Sequence, residues 1–339
     1  MVGAFGARGF SDRPWRRCDW PLLAAVVGVL ALSLPTIYSA SLVAEGGPDP
    51  FRFALRQAIW IGLAAVALLL ATSLDYHLFP DLSRWVYALS LVGLALVLVC
   101  GREVNGARAW FHFGPLALQP SEPAKIAVLL ALARWFAARA APGPEPRGLA
   151  GSAGVLAPPV LLILAQPDLG TTLTFLVMWV AMLWWSGARV WQLGVLALVG
   201  VGLVAVGSGG LTGKGWLQGT QTHLRFLPER HTDFIFAVLC EEWGLAGAAL
   251  LLALYGLLFW RLWGLISIAD DPFGRLLVVG CAAVLLFHVV LNIGMVLGLL
   301  PITGLPLPFF SYGGSNLLTS AVLVGIALNV GMRRRALGA

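Results

Sequence analysis

Charge is the scarcest ingredient of this 339-residue chain: Asp, Glu, Lys and Arg together make up 11% of it. Soluble globular domains carry about 25%, so too few charges are present to cover a water-facing surface. Hydrophobic residues reach 59%, mean hydropathy is +0.86, and apolar runs such as 22–32 and 59–71 are uninterrupted. These features exclude a soluble enzyme and make membrane spanning the first reading. Cysteine is sparse as well. Cys18, Cys100, Cys240 and Cys281 form no CxxC pair and no Cys/His set with metal-site spacing, which leaves them as small apolar fillers. Net charge is +6, yet no basic stripe interleaved with aromatics exists, so nucleic acid is not a partner. Internal repeats of about 20–50 residues are also missing.

What is present is a series of apolar stretches of membrane-crossing length, about 20 residues each. They predict ten helices over 20–43, 52–73, 84–101, 121–140, 149–166, 169–187, 190–207, 233–263, 275–299 and 315–332. The eighth is long enough to tilt or to extend past the bilayer. Arg13, Arg16 and Arg17 precede the first run, as in a signal peptide. That run reaches Val43 and more spans follow, so it reads as an uncleaved first helix. With both termini on the cytoplasmic side, the inner loops hold 14 of the 22 basic residues and the outer loops 7, as the positive-inside rule requires. The expectation is one all-α integral membrane domain, 1–339. It has a cytoplasmic N-terminal segment, 1–19, and a polar outer loop, 208–232, between helices seven and eight.

Polar groups within a membrane are costly, about 2.5–3.5 kcal/mol for a mid-helix charge on insertion scales. They gather here in four clusters at or near the outer face. In the first, Glu122 and Lys125 stand three apart on a helix and can pair. That makes a structural ion pair the favoured role for Lys125. Arg108 and Trp110 precede them in the outer loop. Arg suits bidentate phosphate binding and Trp a sugar face or the membrane interface, and plain membrane anchoring fits both equally well. In the second, Pro167 breaks the chain and Asp168 is placed to cap the sixth helix. The third gathers Lys214, His223, Arg225, Glu229, Arg230 and His231 before Asp233, which opens the eighth helix, with Glu241 and Glu242 two turns on. Such a set could hold a diphosphate and activate a hydroxyl, while capping is the bland role for Asp233. The fourth runs from Pro301 to Asn316, too rich in Pro and Gly for regular helix. Irregular backbone at membrane depth lines a cavity or packs on protein.

The motifs, in order, are NGARAWFHFGPLALQPSEPAK (105–125), QPDLGT (166–171), GKGWLQGTQ (213–221), FLPERHTDFIFAVLCEEWGLAG (226–247) and NIGMVLGLLPITGLPLPFFSYGGS (292–315). Each is weak alone. The ordered set resembles the SEDS family of cell-wall polymerases (shape, elongation, division, sporulation), RodA type. The resemblance implies a peptidoglycan glycosyltransferase that polymerises lipid II, an undecaprenyl-diphosphate-linked disaccharide peptide, during cell elongation and shape maintenance. It implies ten helices in the bacterial inner membrane, membrane lipids around them, and a class B penicillin-binding protein as partner within the elongation complex. By its place in the HTD motif, Asp233 is similar to the family's catalytic carboxylate. Trp110, Asp168, Glu122 and Lys125 match positions tied to activity or to a central polar cavity. Arg108, Lys214, Arg225 or Arg230, with His231 beside them and a divalent cation as a possible aid, could stabilise the leaving diphosphate. No sequence feature shows that cation.

One departure stands out. Family members usually carry a few dozen more residues before the Ser208-Gly209-Gly210 stretch, whereas Val206 here runs almost directly into it. A trimmed active enzyme, a deletion in the sequence and weakened catalysis are all compatible with this. Two other functions therefore stay open beside the polymerase: a lipid II transporter, and a scaffold that recruits its transpeptidase partner without chemistry.

Overall fold

The computed structural model describes residues 17–42, 50–104, 107–113, 116–138, 146–166, 168–186, 232–300 and 303–333. Among these residues there are nine α-helices. They are α1 (Trp20–Leu42), α2 (Pro50–Ser73), α3 (Phe79–Cys100), α4 (Ser121–Ala137), α5 (Pro146–Leu164), α6 (Leu169–Trp185), α7 (Ile235–Ile268), α8 (Pro272–Val296) and α9 (Gly314–Met332). They occupy nine of the ten expected positions; the expected seventh span, 190–207, lies outside the described residues, as does 208–231. Six helices (α1, α2, α3, α7, α8 and α9) are long and apolar enough to cross a membrane, and α5 and α6 hold shorter apolar stretches. The protein is a multi-pass membrane protein.

The all-α expectation needs one correction. Residues 102–118 form a small antiparallel sheet, β1 (Arg102–Val104), β2 (Ala107–Phe113) and β3 (Leu116–Leu118), in the order β1-β2-β3. Its sequence carries the reasons. Asn105-Gly106 and Gly114-Pro115, both turn-favouring pairs, separate the strands. Ala107–Phe113 is rich in aromatics, Trp110, Phe111 and Phe113, a composition that suits a strand. Ala109 is buried while Arg108 on the opposite face is exposed. Arg108 stands opposite Glu103, and Trp110 opposite Arg102.

Burial separates the centre from the rim. In α9, 89% of the span is buried, and in α8 67%, against 17% in each of α2 and α3. The first two are therefore the core of the bundle. The second pair shows lipid an apolar face, Leu55, Ile59, Leu63, Val66 and Leu70 on α2 and Leu82, Leu89, Val92 and Leu96 on α3, a surface that water would not tolerate. Packing follows the same plan: α8 contacts α4, α6, α7 and α9, while α1 packs on α7 and α2 on α9. At 34 residues, α7 is about 51 Å long at 1.5 Å per residue, well over a hydrocarbon core of about 30 Å. It is also broken. Gly244 sits at φ 61 and ψ −154, a conformation open only to glycine, and it divides two turns at the N-terminal end from the long remainder.

Candidate active site

Four segments converge at one end of the bundle: the start of α6, the start of α7, the C-terminal part of α8 and the irregular stretch 303–311. Asn292 is the clamp. Its Nδ2 donates to the Asp233 carbonyl at 3.0 Å and to the Leu305 carbonyl at 2.8 Å. Ser311 adds a second tie. Its hydroxyl donates to the Thr232 carbonyl at 2.6 Å and accepts from the Leu307 N–H at 2.8 Å. From below, the Tyr255 hydroxyl of α7 donates to the Pro308 carbonyl at 2.6 Å. Phe309 is held at φ 63, a genuine outlier for a bulky residue, with its side chain and those of Leu307 and Phe310 buried. The stretch is thus irregular but fixed.

Asp233 is half-buried. Its Oδ2 lies 3.7 Å from where a Cβ would stand on Gly304, so the carboxylate lies beside the 303–305 backbone. The expectation that Asp233 itself opens the helix is shifted by one residue: the N-cap position is Phe234, and it makes no side-chain cap hydrogen bond. On the far side of the same stretch, a Cβ at Gly170 would come within 2.8 Å of the Thr303 carbonyl. Only glycine lets α6 approach so closely. One residue before that helix, Asp168 is its N-cap. It accepts from the Thr171 N–H at 2.9 Å and the Thr171 hydroxyl at 2.7 Å, and from Gln119 Nε2 at 3.1 Å. That last bond carries the line on to the sheet, because Gln119 follows β3. Arg108, exposed, and Trp110, half-buried, stand on that sheet.

Behind this end runs a buried polar chain. Lys125 Nζ donates to Glu122 Oε1 at 2.8 Å and lies 3.2 Å from His288 Nε2. Thr174 Oγ1 is 3.4 Å from the same nitrogen, and Asn316 Nδ2 is 3.5 Å from His288 Nδ1. An ammonium can only donate, so Nε2 accepts and the ring proton belongs on Nδ1. A hydrogen bond to the Pro306 backbone then joins this ring to the irregular stretch beside Asp233. Further down, the Ser39 hydroxyl of α1 donates to Glu242; Glu241 is buried next to it. Sequence reasoning missed His288 and did not give Asn292 a role. The signal available was their spacing: two polar residues four apart, hence on one face, in an otherwise apolar α8. Lys214, Arg225, Arg230 and His231 lie outside the described residues. Among the described residues no three His, Cys, Asp or Glu side chains gather to hold a metal ion, so the protein groups described do not by themselves make a cation site.

The sequence matches the FtsW/RodA/SpoVE cell cycle protein family over residues 20–204 and 199–336. The chain belongs to the SEDS family. Among its SEDS relatives is peptidoglycan glycosyltransferase MrdB of Escherichia coli K12, 34% identical over 367 aligned positions that cover 96% of this chain and 99% of that protein. The aligned length exceeds the 339 residues of this chain, and the two matched segments meet at 199–204, close to where the usual family residues are absent. The crystal structure of the rod shape determining protein RodA of Thermus thermophilus is similar at 39% identity and a TM-score of 0.78, over 95% of this chain and 99% of that one. A chain from a structure concerned with the coordination of polymerization and crosslinking by a peptidoglycan synthase complex matches at 35% identity and a TM-score of 0.79. That match covers 94% of this chain and 98% of the other.

Proposed function

We propose that this SEDS protein is a peptidoglycan glycosyltransferase that polymerises lipid II at the outer face of the bacterial inner membrane, with Asp233 as general base. The observation that carries this reading is the clamp on Asp233. Its carbonyl is held by Asn292, its neighbour Thr232 by Ser311, and its carboxylate stands half-buried beside Gly304. In the reaction, the acceptor sugar's 4-hydroxyl gives its proton to the Asp233 carboxylate as its oxygen bonds to the donor's anomeric carbon. The bond from that carbon to the lipid diphosphate breaks, and the diphosphate leaves with the electron pair. The proton then passes from Asp233 to water. A positioned base of this kind is worth about 10²–10⁴ in rate.

Arg108 is proposed to meet the diphosphate, with Trp110 on the same strand as a sugar-stacking surface; Lys214, Arg225, Arg230 and His231 complete the proposed binding set. Asp168 is proposed to belong to that binding set as well as capping α6, and the Glu122–Lys125 pair to act by holding the walls. Both termini are proposed to be cytoplasmic, as the arginine distribution favours. A class B penicillin-binding protein of the elongation complex is the proposed partner, in line with the synthase complex to which a similar chain belongs.

The test is polymerisation of purified lipid II by wild type and Asp233→Asn. The variant keeps the backbone carbonyl that Asn292 binds, so its unfolding profile should match wild type while strand formation falls by about 10²–10⁴. Normal strand growth by Asp233→Asn would remove the assigned base. Movement of lipid II across the bilayer without strands by wild type would favour the transporter, and partner binding without strands the scaffold.

A further inference from the structure

A second cavity, apolar but edged by arginines, lies at the opposite end of the bundle. A cavity of about 270 Å³ opens between the first turns of α3, the last turns of α4 and the middle of α5, lined by Ser83, Arg84, Tyr87, Arg134, Trp135 and Val155 among others. Two arginines therefore line one largely apolar pocket. Arg134 is fixed in place, donating through Nη1 to the Pro80 carbonyl at 2.7 Å and lying 3.4 Å from Ser83 Oγ. Arg84 is exposed. Among the described residues neither forms an ion pair, and no carboxylate lines the cavity. An uncompensated pair of cations calls for an anion, and planar guanidinium groups favour phosphate oxygens.

The position names the anion's source. Trp85 is strongly exposed one residue from Arg84, and Tyr87 and Trp135 line the cavity, aromatics of the kind that mark headgroup depth. The Tyr87 hydroxyl is already bound to the Val155 carbonyl at 2.7 Å, so its ring, with Ala131 and Val155, offers an apolar edge to an acyl chain. The volume sits near the lower limit of ligand pockets, about 300–1,000 Å³. It admits a phosphoglycerol headgroup and is too small for a disaccharide peptide. Basic pockets between helices at a cytoplasmic interface are the usual seats of anionic lipid.

We propose that this cavity binds the phosphate of an anionic phospholipid from the adjoining leaflet, between Arg84 and Arg134. The inference is independent of the polymerase reading and needs only that the helices span a bilayer. The test is native mass spectrometry of the full chain released from micelles holding equal phosphatidylglycerol and phosphatidylcholine. Wild type should retain phosphatidylglycerol preferentially. Arg84→Gln, at an exposed site where folding is not at stake, should lower that retention about fivefold, as one basic residue near the surface is worth. Arg56→Gln removes an equal charge from the other end of the bundle and should leave retention unchanged. Equal retention of the two lipids, or no effect of Arg84→Gln, overturns the proposal. A third arm adds undecaprenyl phosphate: its displacement of phosphatidylglycerol from the Arg84-dependent site would assign the cavity to the carrier lipid and overturn it equally.

Discussion

Truncating Asn292 to alanine tests whether the clamp sets the rate. The side chain is fully buried and donates two hydrogen bonds, to the carbonyls of Asp233 and Leu305. Removing it leaves both carbonyls without that donor. Single side-chain hydrogen bonds in a membrane protein average about 0.6 kcal/mol and reach about 1.7, so two give roughly 1–3.5 kcal/mol. The bundle should survive that loss, since its core rests on α8 and α9 packing rather than on this one amide. The catalytic effect should be larger than the stability effect. Asp233 and the 303–308 stretch lose their shared tether, and a displacement of about 1 Å at a reacting group can cost 10²-fold. The assay is strand formation from lipid II in detergent, with the unfolding midpoint of the same preparation alongside. The expected outcome is a modest fall in the midpoint and a fall in rate of about 10–100-fold. A folded Asn292→Ala protein that polymerises at the wild-type rate would show that position 292 does not hold the base, and the reasoning would fail.

Three further outcomes are expected. Lys125→Met strands the buried Glu122 carboxylate and should destabilise by about 3–5 kcal/mol, whereas Glu122→Gln with Lys125→Met should recover most of it; equal unfolding curves for single and double variants would contradict the pairing. Gly244→Ala forces a side chain into a glycine-only conformation and should lower the midpoint by an amount equivalent to about 1–3 kcal/mol, read by thermal unfolding in detergent. Asp75, in the turn between α2 and α3, gives a pH dependence. Burial alone would raise its pKa, but hydrogen bonds from the His77 backbone and ring, with the Arg333 and His77 charges, outweigh it and hold the carboxyl below its usual range. A depressed carboxylate stabilises the fold above its unfolded pKa of about 3.9, and that contribution disappears as pH falls through the lower folded value. The stability difference between wild type and Asp75→Asn should therefore be present at pH 6 and shrink towards pH 3.

Much of the architecture was legible because its cause is local. Twenty apolar residues in a row suffice to mark a helix, and nine expected positions are helical. Asp168 as a cap was legible for the same reason: a carboxylate two residues before Gly170, after a proline, has an N–H within reach. The small sheet is short and lies between two spans, where a loop is the ordinary expectation, although Asn105-Gly106 and the aromatic Ala107–Phe113 run carried its signal. The clamp was out of reach. Asn292 matters through Asp233, 59 residues earlier in the chain, and His288 through Lys125, 163 residues away. A single polar residue in an apolar helix declares that it needs partners, never which ones.

The break at Gly244 has a bearing on how such a bundle lives in membranes of unequal depth. The long shaft beyond it, not the two turns that follow Asp233, is the piece free to tilt when lipid tails lengthen or shorten, tilting being one of the ways mismatch is met. With a joint between them, the angle of the shaft and the posture of the reacting carboxylate become separate variables. Growth in a thicker or thinner bilayer is then absorbed below the joint, and the geometry above it stays as Asn292 and Ser311 set it.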